Sequence, residues 1–129
     1  MEGIGVLIVD DEPRILKLAM SILERQGMEV SCATCSEDAL RLVNEKNFSL
    51  MITDLHLPGM KGFELAGKVR ELSPEMPIFM ITGDISGETH NLARKAGILK
   101  VFAKPVRFME IIEMARRTIK ERNARFGAE

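Results

Sequence analysis

The sequence predicts an α/β fold, a doubly wound (βα)5 domain built on a five-stranded parallel sheet, and three observations predict it. Short apolar runs alternate with segments whose apolar residues recur at helical spacing. The run from Leu50 to Asp54 has the continuous apolar character of a strand buried on both faces, as in a parallel sheet covered by helices. Polar residues follow or end the runs: Asp10 and Asp11 after Val6-Leu7-Ile8-Val9, Asp54 after Leu50-Met51-Ile52-Thr53, Thr82 after Ile78-Phe79-Met80-Ile81, and Lys104 after Val101-Phe102-Ala103. In parallel strands those ends lie along one edge, where open α/β sheets place their ligands.

The elements follow in order. After the first strand, Pro13 stands where a first helical turn tolerates it. Ile15, Leu18, Ala19, Ile22 and Leu23 give that helix one buried stripe, and Gly27 supplies a stop. Glu29 to Ala33 reads as the second strand. Ser36, with Glu37 and Asp38 suiting the dipole of the first turn, caps a second helix whose inner face is Ala39, Leu40 and Val43. Leu50 to Asp54 is the third strand, and Pro58-Gly59 marks the turn after it. Phe63, Leu65, Ala66, Val69 and Leu72 give the third helix, Ile78 to Thr82 the fourth strand, and Leu92, Ala93 and Ala96 a short fourth helix ending at Gly97. Lys100 to Ala103 is the fifth strand. Phe108, Ile111, Ile112, Ala115 and Ile119 mark a last amphipathic helix, expected to run past Lys120 and to fray toward Glu129. Such alternation demands right-handed crossovers and helices on both faces of the sheet.

Composition narrows the function classes. A chain of 129 residues fits one domain, which removes roughly two-thirds of its unfolded-chain surface from water and needs no metal or disulfide staple. The formal net charge of -1 gives no global attraction to nucleic acid or anionic membranes. The cluster Arg116, Arg117, Lys120, Arg122 and Arg125 is interleaved with glutamates and lacks aromatics, so it reads as a solvated helix face. Neither a basic leader with a long apolar core nor a run of ~20 apolar residues is present, and the expected location is the cytoplasm. Cys32 and Cys35 form a CxxC at a strand-to-helix junction, but no second pair completes a zinc site, and His56 and His90 are too scattered to help. Both cysteines read as structural.

The residue types at the sheet edge carry the chemistry. Asp10, Asp11 and Asp54 in one crevice would repel one another unless a cation joined them, and hard oxygen ligands favour Mg²⁺. Three acids and one lysine around such an ion suggest phosphoryl chemistry rather than structural calcium. Lys104 would balance an incoming phosphoryl group, the Thr82 hydroxyl would donate to one of its oxygens, and a carboxylate such as Asp54 can be the covalent nucleophile.

These residues match a family. The Asp10-Asp11 pair, Asp54 followed by Leu55-His56-Leu57-Pro58-Gly59-Met60-Lys61-Gly62, the Thr82-Gly83 step and Lys104-Pro105 resemble the receiver domain of two-component response regulators, of the chemotaxis-type, single-domain kind. The resemblance covers essentially the whole chain, with a receiver domain over 1–122 and a C-terminal tail over 123–129, and it implies a flavodoxin-like fold. It further implies that Asp54 accepts a phosphoryl group from a sensor histidine kinase or histidine phosphotransfer protein, with Thr82 and Lys104 assisting. Mg²⁺ would be held by Asp11, Asp54 and the carbonyl of His56, with Asp10 acting mainly through the metal's water shell. A cis bond is implied at Lys104-Pro105. The expected role is a phosphoacceptor signalling domain, not an enzyme, with self-catalysed phosphorylation and dephosphorylation and a conformational switch read by a downstream protein target or effector domain. Neither nucleic acid nor membrane is expected as a direct partner.

Two departures from the family pattern matter. Leu57 replaces the usual methionine, a volume-conserving swap. Val101 occupies the place where the family commonly carries an aromatic whose inward turn reports phosphorylation, and the neighbouring Phe102 faces the other side of the strand. The switch would then rest on Thr82, Val101 and the loop from Gly83 to Gly87. By the same resemblance, His56 and Asp84, two residues beyond Asp54 and Thr82, frame the approach of the hydrolytic water and are candidates for setting the lifetime of the signal.

Competing classes fit less well. A dehalogenase-type phosphatase needs a second Asp where this chain has His56, a flavin carrier would not place Asp10-Asp11-Glu12 in its phosphate loop, and no GxxxxGK[ST] is present. The surviving alternative is a receiver-fold interaction module that works without phosphorylation.

Overall fold

Each strand of the sheet turns alternate side chains to opposite faces, and the sequence supplies an apolar residue for both. In β1 (Gly5–Val9), Val6 and Ile8 enter one core while Leu7 and Val9 enter the other. The computed structural model describes residues 3–125. After β1 come α1 (Pro13–Arg25), β2 (Glu29–Ala33), α2 (Ser36–Glu45), β3 (Leu50–Asp54), α3 (Gly62–Leu72), β4 (Ile78–Thr82), α4 (Gly87–Lys95), β5 (Lys100–Ala103) and α5 (Phe108–Arg125). All neighbouring strands are parallel, in the order β2-β1-β3-β4-β5. The expected (βα)5 doubly wound sheet is therefore the observed one.

The two cores lie on either side of this sheet. Helices α1 and α5 cover one face through Leu16, Ala19, Leu23, Ile111, Ile112 and Ala115. Helices α2, α3 and α4 cover the other through Ala39, Leu65, Ala66, Val69 and Ala93. β3 and β4 are buried along their whole length, which accounts for their unbroken apolar character. Each fully buried large side chain, such as Leu7 or Ile78, contributes roughly 1.5–3 kcal/mol relative to exposure.

The helix stops at Gly27 and Gly97 are as expected, and their mechanism is now visible. Both residues sit at positive φ, 88° and 85°, a conformation that favours glycine. In each case the next amide reaches back to close the last turn, Met28 to the Leu23 carbonyl and Ile98 to the Ala93 carbonyl.

Four details differ from the sequence reading. Leu18 is exposed, because the buried stripe of α1 runs through Leu16, Ala19 and Leu23, and a residue two positions from Leu16 lies on the far side of the helix. Leu72 ends α3 and is exposed. Leu92 is exposed, since α4 packs through Thr89 and Ala93, four residues apart. Ser36 does not cap α2: Cys35 takes the cap position without a side-chain bond, and the Ser36 hydroxyl donates instead to the Met60 carbonyl at 2.9 Å. Helix α5 runs past Lys120, as expected, and continues through 123–125; the expected fraying toward Glu129 falls on 126–129, outside the described residues.

Candidate functional site

Strand order reverses between β1 and β3, and the carboxyl ends of these two neighbours open a crevice. Val9 is in register with Thr53, so Asp10 and Asp54, one residue further on, come level. Both are buried, at 1% and 5% exposure, while Asp11 faces solvent. Carboxylate oxygens of all three lie within 4.8 Å of one another, and among the described residues this is the one group of acidic, histidine or cysteine side chains close enough to hold a metal ion.

Asp10 carries the strongest sign of an absent partner. Its Oδ1 accepts from the Glu12 amide at 2.8 Å, but its buried Oδ2 has no hydrogen-bond partner. Burial pushes this carboxyl above its ordinary range; the Glu12 amide opposes the shift, while the Asp54 charge adds to it. A buried, unsatisfied carboxylate oxygen beside two more carboxylates is the donor set of a small hard divalent cation, and the residues fit Mg²⁺ on that ground.

Lys104 reaches the same point from β5. Its amide donates to the Thr82 carbonyl at 3.0 Å, the Lys104-Pro105 bond is cis, and Nζ donates to Asp54 Oδ2 at 3.0 Å. The other carboxylate oxygen, Oδ1, receives the His56 amide at a long 3.4 Å, and the His56 side chain is exposed. One oxygen of Asp54 thus faces an ammonium while the other is only weakly engaged.

Thr82 ends β4, 1% exposed, and its Oγ1 accepts from the Asp84 amide at 3.0 Å. Asp84 engages both its carboxylate oxygens at the start of α4. Its Oδ1 accepts from the Ser86 amide at 3.0 Å and its Oδ2 from the Thr89 hydroxyl at 2.8 Å. These bonds, the Ser86 amide first, hold the Asp84 carboxyl below its ordinary range, with the His56 charge adding a smaller pull. Ser86 caps α4 by accepting from the Thr89 amide. On β5, Val101 packs with the core under α2, α3 and α4, whereas Phe102 packs with the opposite core and meets Phe79 at 5.3 Å between ring centroids.

The sequence reading missed the part that three residues play here. Gly62 brings α3 against the end of β3 so closely that a Cβ would lie 2.6 Å from the Asp54 carbonyl oxygen. Thr89 is a buried polar residue committed to Asp84, and the only local signal near it was Ser86, a residue type suited to the helix cap it forms. Ser36 reaches the loop after β3, and no local pattern announces a bond spanning 24 residues. Away from the site, Cys32 and Cys35 are free and half-buried, and burial, with the Glu24 charge, pushes the Cys32 thiol up, which suits a structural thiol rather than a reactive one. Among the described residues no helix is long and apolar enough to cross a membrane.

Comparison with known proteins agrees with this geometry. Residues 6–116 match the model of the response regulator receiver domain. A response regulator receiver domain protein of Methanospirillum hungatei superposes with a TM-score of 0.90 at 33% identity, covering 95% of this chain and 98% of that one. A response regulator of Burkholderia pseudomallei, solved with a phosphorylated aspartic acid, a calcium ion and citrate, has a TM-score of 0.83 at 29% identity, covering 95% and 72%. A response regulator receiver protein of Anaeromyxobacter sp. is 33% identical over 84% of this chain, and the sensor histidine kinase AruS of Pseudomonas aeruginosa 34% identical over 86%. The chain spans 45% of the former and 12% of the latter.

Proposed function

The chain belongs to the response regulator receiver domain family, and from that premise we propose that Asp54 accepts a phosphoryl group from the phosphohistidine of a sensor kinase or phosphotransfer protein, in a Mg²⁺-dependent reaction. A carboxylate oxygen of Asp54 attacks phosphorus, the P–N bond breaks, its electron pair stays on the departing imidazole nitrogen, and an acyl phosphate forms. Asp11, Asp54 and the carbonyl of His56 would hold the ion, with Asp10 acting mainly through its water shell, and the ion would supply charge neutralisation for the transferring group. Lys104 leaves its bond to Asp54 Oδ2 to pair with a phosphoryl oxygen, and Thr82 donates its hydroxyl proton to another. That proton is available, because the Thr82 oxygen only accepts from the Asp84 amide.

The observation that carries this reading is the pairing of a nearly buried Asp54 with Lys104 beside the unsatisfied oxygen of Asp10. The phosphorylated aspartic acid of the Burkholderia relative supports it. Incubation with acetyl phosphate and Mg²⁺, followed by intact-mass analysis, should add one phosphoryl group. The reading fails if the gain persists in Asp54→Asn or without Mg²⁺. In the cell the expected setting is cytoplasmic, with a downstream protein target or effector domain reading the phosphorylated form.

A further inference from the structure

The loop between β3 and α3 carries the His56 carbonyl assigned to the metal, and this inference rests on that assignment. Two backbone-to-backbone bonds hold the loop within its own segment: the Gly62 amide donates to the Leu55 carbonyl at 2.8 Å, and the Met60 amide to the Pro58 carbonyl at 3.0 Å. A third tie comes from elsewhere. The Ser36 hydroxyl, on the first residue of α2 and 3% exposed, donates to the Met60 carbonyl at 2.9 Å.

This bond has no evident role in α2 itself. Cys35 takes the cap position of α2 without a side-chain bond, and the Ser36 hydroxyl that could serve the helix N-terminus points across to the neighbouring segment. The far end of the loop is fixed differently, by the close approach of Gly62 to the Asp54 carbonyl. Residues 56–61 lead from the end of β3 to these anchors, and of them His56, Pro58, Gly59 and Lys61 are exposed. A carbonyl ligand binds well only if the backbone presenting it is already held in place, since ordering it on binding costs affinity.

We infer that Ser36 is a positioning residue for the metal site, holding the β3–α3 loop from outside so that the His56 carbonyl is presented to Mg²⁺ before the ion arrives. Ser36 touches neither metal nor phosphoryl group and acts through the Met60 carbonyl alone.

The test compares wild type with Ser36→Ala, which removes the hydroxyl, and Ala39→Gly, which weakens α2 at a buried position but leaves the Ser36 hydroxyl in place. Mg²⁺ affinity is measured by titration calorimetry on the full chain. Hydrogen exchange of amides 56–61 is measured without metal. Ser36→Ala should bind Mg²⁺ about fivefold more weakly, the factor that an ordinary hydrogen bond represents, and its loop amides should exchange faster. Ala39→Gly should match wild type in both. Equal affinity in wild type and Ser36→Ala, unchanged loop exchange, or an equal loss in Ala39→Gly overturns the positioning role while leaving the function intact. Wild type that binds no Mg²⁺ overturns the metal assignment and this inference with it.

Discussion

Lys104 Nζ lies 3.0 Å from Asp54 Oδ2, so under the proposed function the cation that would meet the phosphoryl group already partners the carboxylate that would carry it. Lys104→Met should leave Asp54 nearly buried and unpaired. Breaking a fully buried pair costs about 3–5 kcal/mol, but the lysine side chain is 34% exposed, so a loss of about 1 kcal/mol is expected. Burial pulls the Lys104 ammonium down, yet the hydrogen bond and charge of Asp54 outweigh it and hold the group above its ordinary value. A raised lysine stabilises fully below its unfolded value of about 10.4 and loses that contribution as pH rises through the folded one. Denaturant unfolding should therefore separate wild type from Lys104→Met at neutral pH, and the gap should close in strong alkali. A constant gap contradicts the pairing.

Asp10→Asn should stabilise the metal-free domain. The Asp10 carboxyl is raised by burial, against the Glu12 amide and with the Asp54 charge, so its stabilising contribution belongs to the protonated form and is lost as pH rises through the folded value. Near neutrality the carboxylate is charged, buried and unsatisfied at Oδ2. An uncharged amide that keeps the Oδ1 bond to Glu12 should add about 1–2 kcal/mol, a few degrees in Tm, at pH 7 and nothing near pH ~3. Thermal unfolding in chelator checks it, and a lower midpoint at neutral pH contradicts like-charge crowding.

The sheet and the crevice at its edge were legible because both follow from short-range rules. Apolar runs of strand length, ended by polar residues, fix which side chains share an edge, and Asp10, Asp54, Thr82 and Lys104 do share it. What periodicity could not resolve was which of two neighbouring apolar residues faces inward, as Leu18 against Leu16 shows, because helical spacing fits several phases in a short element. Ser36 and Gly62 were illegible for another reason: their roles depend on which segments the fold brings together, and neither has a local signature.

Phe102 should prove structural. Its ring meets Phe79 in the core beneath α1 and α5, tilted by 58°, while Val101 faces the opposite core. Phe102→Ala should cost about 1–3 kcal/mol, less than the ~3–5 kcal/mol of a fully buried phenylalanine because the residue is only half-buried. The rate of phosphorylation by acetyl phosphate should not change. A stable Phe102→Ala protein that phosphorylates at a different rate would give the ring a part in the switch.

The lifetime of the acyl phosphate should depend on His56 directly and on Asp84 through Thr82. His56 is exposed beside Asp54, and its ring can shield the phosphoryl group or orient the water that attacks it. Asp84 has both carboxylate oxygens engaged, by Ser86 and Thr89, so it is poorly placed to take a proton from that water. Its amide, however, holds the Thr82 hydroxyl. Asp84→Ala should therefore loosen the start of α4 and the setting of Thr82, and because the depressed Asp84 carboxyl stabilises only above its unfolded value, that loosening should be felt at neutral pH and vanish as pH falls through the folded one. Decay of phosphorylated wild type, His56→Ala, Asp84→Ala and the double variant should show a severalfold change for His56→Ala, a smaller one for Asp84→Ala, and a double effect that departs from their product, since the His56 charge is felt at Asp84. Four equal rates would remove both residues from the control of the lifetime.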